Sequence, residues 1–146
     1  MEIINTDFNH KIRHASKNGH LEIVKELMKD PRVNPSDCHN HAILEASSNG
    51  HSEIVKELLK DPRVDPTQYD NEAIRYASRN GHFEVVKELM KDPRVDPSVY
   101  ENEAIRLAYK NKHTKIFQEL LKDPRVSSTY LNHINLTDFI IPPYPP

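Results

Sequence analysis

One string, ASKNGHLEIVKELMKDPRV at Ala15–Val33, returns with small changes from Ala46, Ala77 and Ala108, a step of 31 residues each time. A fixed period of this size marks a solenoid or array, in which each unit buries its apolar face only against its neighbours. The composition agrees. A hydrophobic fraction of 36% is low for a globule and 29% charged residues is slightly high, the balance of a thin two-layer stack with much surface. Regular apolar columns argue against disorder.

The third unit, NEAIRYASRNGHFEVVKELMKDPRVDPSVYE, shows what is built. Asn71 is placed to cap a first helix, with Asn9, Asn40 and Asn102 at the same phase. Glu72 sets negative charge at the positive helix end. Ala73, Ile74 and Ala77 make a narrow apolar face. Gly81 follows the last helical residue, where a left-handed conformation is easiest without a Cβ. The chain's three glycines, Gly19, Gly50 and Gly81, all hold this phase, which is a turn requirement and not a phosphate loop. A second helix is predicted over residues 82–91 with Phe83, Val86, Leu89 and Met90 inward. Pro31, Pro62, Pro93 and Pro124 end the second helices, and a loop anchored by Val95 and stiffened by Pro97 leads on.

The run NGHLEIVKELM, Asn18–Met28, resembles the ankyrin repeat, whose familiar form reads TPLHxAA, then GHxEVVKLLL, then a loop. The resemblance covers four units, Asn9 to Val126. Two departures stand out: variants of NEAIR replace TPLH, and the unit is 31 residues rather than the usual 33. The shortening falls in a loop without the family's glycines, so short Pro-stiffened connections are expected in place of β-hairpin fingers. The EAIR…DPRVDPS dialect is similar to ankyrin repeats of large DNA viruses of amoebae. The implied fold is an all-α ankyrin-like solenoid of about eight helices: a lead-in over 1–8, units at 9–39, 40–70, 71–101 and 102–126, and a capping segment with a Pro-rich tail at 127–146.

Chemistry is sparse. His20, His51, His82 and His113 form a column, but equivalent positions on stacked helices lie roughly 8–10 Å apart, too far to share one zinc. A structural place at the inter-helix turn is expected, as the resemblance also implies. His10 with His14, and Cys38 with His39 and His41, lack third and fourth ligands with supporting partners. No nucleophile–base order and no glycine-rich phosphate motif occurs, so neither catalysis nor a cofactor is expected. A net charge of −2 argues against a nucleic-acid binder. Cys38 is the only cysteine, which points to a reducing compartment. No signal peptide and no membrane-length apolar run is evident, so a soluble intracellular protein is expected. Glu22, Glu53 and Glu84 each precede a Lys by three residues, the spacing of surface ion pairs. In the tail, Phe139, Ile140 and Ile141 are suited to covering the last unit; PxxP at Pro142–Pro145 lacks the flanking bases of an SH3 ligand.

Comparison of the four copies separates scaffold from display. The Asn, Ile, Ala, Val and Leu columns barely change. The columns headed by His10, Arg13, His14 and Lys17 vary, and their spacing of i, i+3, i+4, i+7 puts them on one helix face. The loop columns at 37–39, 68–70 and 99–101 vary with them. In ankyrin proteins this face and the loop tips form the concave partner-binding surface. The plainer reading is a solvated face carrying local pairs, Glu72–Arg75 and Glu103–Arg106. Arg and Tyr, the residue types of interface hot spots, favour binding. The expected site is Tyr69, Arg75, Tyr76, Arg79, Tyr100, Arg106 and Lys110, a basic and aromatic patch for an acidic or mixed acidic-apolar protein surface. A monomeric, non-enzymatic adaptor or sequestering factor is the first reading. A structural part of a larger assembly, such as a viral particle, is the second.

Overall fold

A computed structural model describes residues 6–133. Within them the chain forms nine helices and no strand: α1 Thr6–Asn18, α2 Leu21–Met28, α3 Asp37–Ser48, α4 Ser52–Leu58, α5 Gln68–Asn80, α6 Phe83–Met90, α7 Val99–Lys110, α8 Thr114–Leu120 and α9 Pro124–His133. The second helix of each unit has only seven or eight residues, too short to persist alone in water. Packing holds it. Odd-numbered helices line up in one layer and even-numbered helices in the other, each touching its own partner and the next unit. The odd-numbered helices are longer than the even-numbered ones, so the first-helix layer makes the more extensive contacts between units.

The core follows the repeating columns. Ile12, Ile43, Ile74 and Ile105 are sealed between the layers together with Val24, Val55 and Val86. Full burial of such a side chain stabilises by roughly 1.5–3 kcal/mol. The expected inner residues of α6 are there, with Val86 and Leu89 buried and Phe83 and Met90 partly so; Val85 joins them. Val33, Val64, Val95 and Val126 anchor the loops.

Glycine and histidine columns turn out to be one device. Gly19, Gly50 and Gly81 have φ of 77°, 82° and 82°, the left-handed turn expected. The histidine of the next unit lies against each. A Cβ built on Gly50 would sit 2.6 Å from Nδ1 of His82. The ring's Nε2 meets the carbonyl oxygen two residues before the glycine: His51 with Lys17, His82 with Ser48, His113 with Arg79, at 2.9–3.0 Å. Each histidine therefore closes the helix end of the unit before it.

The DPRV loops repeat a second device. Asp61 accepts from the backbone N–H of Arg63 and pairs with its guanidinium, which reaches back to the carbonyl of Val33. Arg94 and Arg125 do the same toward Val64 and Val95. These arginines hold the carboxyl groups of Asp61, Asp92 and Asp123 below the ordinary carboxylate range through their hydrogen bonds, and Asp30, bound by Arg32, is lowered to about 2.

Two expectations change. Asn40, Asn71 and Asn102 do stand immediately before the right-handed part of a first helix, but they cap nothing. Each is buried with φ near +60°. The side-chain oxygens of Asn40 and Asn71 accept the backbone N–H of Asp65 and Asp96, tying the next loop to the helix start; Asn9 does likewise with Asn34. Pro124 also differs from its counterparts, because it opens α9 at a position where a missing N–H costs nothing. This helix packs on α7, and Tyr130 meets the edge of Phe117. The Phe139–Ile141 run and the Pro-rich tail lie outside the described residues.

Candidate protein-interaction face

Three consecutive left-handed residues begin each inner first helix: Cys38-His39-Asn40, Tyr69-Asp70-Asn71 and Tyr100-Glu101-Asn102. Outside glycine, such residues cost about 1–2 kcal/mol each, so the turn needs external support. Arg75 supplies it in the third unit, donating to the carbonyls of Asp70 and Tyr69. Arg106 does so in the fourth through Glu101 and Tyr100. The turns push the first aromatic residue outward: Tyr69 is 50% exposed and Tyr100 55%.

The expected site residues accordingly fall into two groups. Arg75, Tyr69, Tyr100 and Arg106 are gathered into one lattice. The Arg75 guanidinium lies 4.7 Å from the Tyr100 ring centre and pairs with Glu103, while the Tyr100 hydroxyl donates to Asp70 at 2.8 Å. Around them is a depression of about 380 Å³ lined by Arg75, Tyr100, Glu101, Glu103 and Arg106. Tyr76, Arg79 and Lys110 stand apart on the outer side of α5 and α7, all exposed. Arg79 and Lys110 make no ion pair among the described residues. Tyr76 bonds the Glu72 carboxylate one turn back, which raises its phenol above the usual range; Asp70 does the same to Tyr100.

The local pairs read from spacing are thus replaced. Glu103 serves Arg75 of the preceding unit, not Arg106, and Glu72 faces Tyr76, not Arg75. An analogous bridge joins Arg13 to Asp37. Acidic Asp70, Glu72, Glu101 and Glu103 lie among the arginines, so the lattice is balanced in charge. Near the ends of α5 and α7, Arg79 and Lys110 add positive charge that no carboxylate among the described residues pairs with. On the opposite layer, Glu22–Lys25 and Glu84–Lys87 pair as expected whereas the expected Glu53–Lys56 pair is not formed, and Glu57–Lys60, Glu88–Lys91 and Glu119–Lys122 pair as well.

The helix pairs, the glycine-closed turn and the two-layer stack converge with a comparison of the sequence. A family model described as ankyrin repeats, in 3 copies, matches residues 12–100. The chain belongs to the ankyrin repeat family. Such repeats generally mediate protein–protein interaction and are typically non-catalytic. No curated protein matches the chain. This ankyrin chain departs from the hairpin-bearing form where its sequence foretold: its connections are Asp-Pro-Arg clamps and left-handed turns. Among the described residues no group of three or more His, Cys, Asp or Glu could hold a metal ion, and no helix is long and apolar enough to cross a membrane.

The sequence reading missed the support role of Arg75 and Arg106. Their bonds run five and six residues backward into a turn whose left-handed shape has no glycine to announce it. A signal was present in the columns, since Arg recurs three residues after Glu72 and Glu103 whereas Leu44 holds that place in the second unit.

Proposed function

We propose that the first-helix row and its loop tips bind a protein partner, and that the chain acts as a non-catalytic adaptor or sequestering factor. One observation carries the reading: Tyr76, Arg79 and Lys110 are exposed, occupy columns that vary between units, and sit on an interior that hardly varies. The balanced lattice at 69–106 orients the face, and the free cations with Tyr76 supply its adhesive part. A partner of mixed acidic and apolar surface fits, its carboxylates meeting Arg79 and Lys110 and its apolar part meeting Tyr76. The exposed lone Cys38 suits a reducing, intracellular setting, and a monomer suffices for this task.

Affinity capture with matched variants tests the proposal. Tyr76→Ala with Lys110→Glu removes contacts without touching the turn supports, and is expected to lose the captured partner while the helical spectrum and melting temperature hold. Truncation of a hot spot costs about 2 kcal/mol or more. Lys56→Glu with Lys60→Glu, on the even-helix layer, is expected to leave capture intact. The reverse result sinks the face assignment. A structural role in a larger assembly, viral or otherwise, requires stable self-association, which sedimentation of the isolated chain decides.

A further inference from the structure

One arginine of the first-helix row is built like its counterparts and left without what they hold. Arg13, Arg75 and Arg106 share a column. Nη1 of Arg13 donates to Asp37 at the start of α3, and Nη1 of Arg75 donates to Glu103 in α7. Each thus takes a carboxylate from the next first helix and is mostly covered, with side chains 22% and 14% exposed. Arg75 also has the Tyr100 ring against its guanidinium. Arg106 repeats the backbone half of this arrangement, its Nε and Nη2 donating at 2.9 Å to the carbonyls of Glu101 and Tyr100. The other half is missing. Among the described residues its Nη1 meets no carboxylate and its guanidinium no ring, and the side chain is exposed.

The cause lies in the sequence that follows. A step of 31 residues carries Tyr100 to Leu131 and Glu103 to Ile134, which replaces both the ring and the acid by aliphatic residues. Helix α9 packs on α7 where another first helix would lie, and its Thr129 hydroxyl accepts from the Asn102 carboxamide at 2.9 Å. It satisfies Asn102 and leaves Arg106 open. A guanidinium already fixed by two carbonyls has given up its rotamer freedom in advance, so a ligand meets little ordering cost there.

We infer that Arg106 anchors the partner by taking in trans what Arg75 takes from this chain, a step that rests on the partner-face reading and adds the chemistry of the occupant. That occupant is a segment of a protein partner in which a Tyr or Phe stands three residues before a Glu or Asp, as Tyr100 stands before Glu103. The acid is selected by charge, since a planar cation with an unused N–H favours a carboxylate. The ring is selected by the open guanidinium face. Arg106 borders the depression beside Tyr100, which gives the segment room. Lys110, one turn further along α7, is placed for a second acid.

Guanidinium NMR of the full chain, titrated with the acetylated and amidated tetrapeptide YENE, tests this. The Arg106 signal is expected to shift while that of Arg75, already occupied, stays. Gln in place of the peptide's final Glu should weaken binding about tenfold, and Ala in place of its Tyr about threefold. Glu103→Ala should free Nη1 of Arg75 and bring that signal into the titration, a gain that lost folding cannot mimic. No shift at Arg106, no gain at Arg75, or equal affinity for the three peptides overturns the inference. So does a shift of the Arg106 signal on Asp138→Asn without peptide, because Asp138 has the only carboxylate side chain of residues 134–146 and the tail would then be the occupant. A peptide-free shift on dilution overturns it too, since a second copy would then fill the site. Partner capture that depends on Tyr76 and Lys110, with no peptide response at Arg106, overturns the anchor alone and leaves the partner face standing.

Discussion

Gly50 meets two demands at once, a backbone at φ 82° and a surface flat enough for the His82 ring. Gly50→Ala violates both and is expected to cost about 2 kcal/mol or more in urea denaturation. In the fourth unit Lys112 takes the glycine's place with φ of 62°, so the turn is kept although its residue is unsuited to it. Lys112→Gly is expected to stabilise by about 1 kcal/mol; a neutral or harmful result contradicts the turn assignment. The buried hydroxyls of Ser16, Ser47 and Ser78 have no hydrogen-bond partner among the described residues. Because an unsatisfied buried hydroxyl costs roughly 1–3 kcal/mol, Ser47→Ala is expected to raise the denaturation midpoint, and a lowered midpoint would show that the hydroxyl is satisfied.

Among the elements, the Asp-Pro-Arg clamps give the stack an acid limit. Asp61, Asp92 and Asp123 have folded-state pKa values depressed by the arginines they bind. Their contribution is therefore complete above the unfolded carboxylate value near 3.9 and is lost as pH falls through the lower folded values. Melting temperature is expected to drop as pH falls below about 4, and Asp92→Asn should flatten part of that drop; an unchanged profile would show that the clamp at Asp92 does not couple to folding. These clamps were hard to read in advance. The repeat made DPRV visible as a pattern, and Val95 was correctly taken as its anchor, yet nothing in a four-residue string says that its arginine reaches a carbonyl in the preceding unit. The helices themselves were legible, because alternating Ala-Ile and Val-Leu columns and the glycine phase are local signals. The left-handed turns were not. Tyr-Asp-Asn carries little preference for that conformation, and it is stabilised from outside by Arg75 and by the Asn71 carboxamide. Helix α9 was hidden for a similar reason, since Pro124 repeats a residue that elsewhere follows a helix end.

For the whole molecule, the ends and the first-helix face matter most. Three columns change together at the last unit, where Tyr109, Lys112 and Phe117 replace Ser, Gly and Val and add bulk on the side where another unit would pack. Tyr109 and Phe117 lie 5.8 Å apart, with Tyr130 of α9 beyond them. Removing residues 130–146 takes away Tyr130 and is expected to increase dye binding and aggregation while the first units stay folded. Removing residues 134–146 alone separates the part of the tail from that of α9; equal behaviour of full and truncated chains would leave the tail without a capping role. Site-specific photo-crosslinking in the native cell most directly tests the claim that the first-helix face binds a protein. A photoreactive residue at position 76 or 110 is expected to trap one discrete partner, with positions 56 and 60 trapping none. Adducts from 56 and 60, with none from 76 and 110, would contradict it.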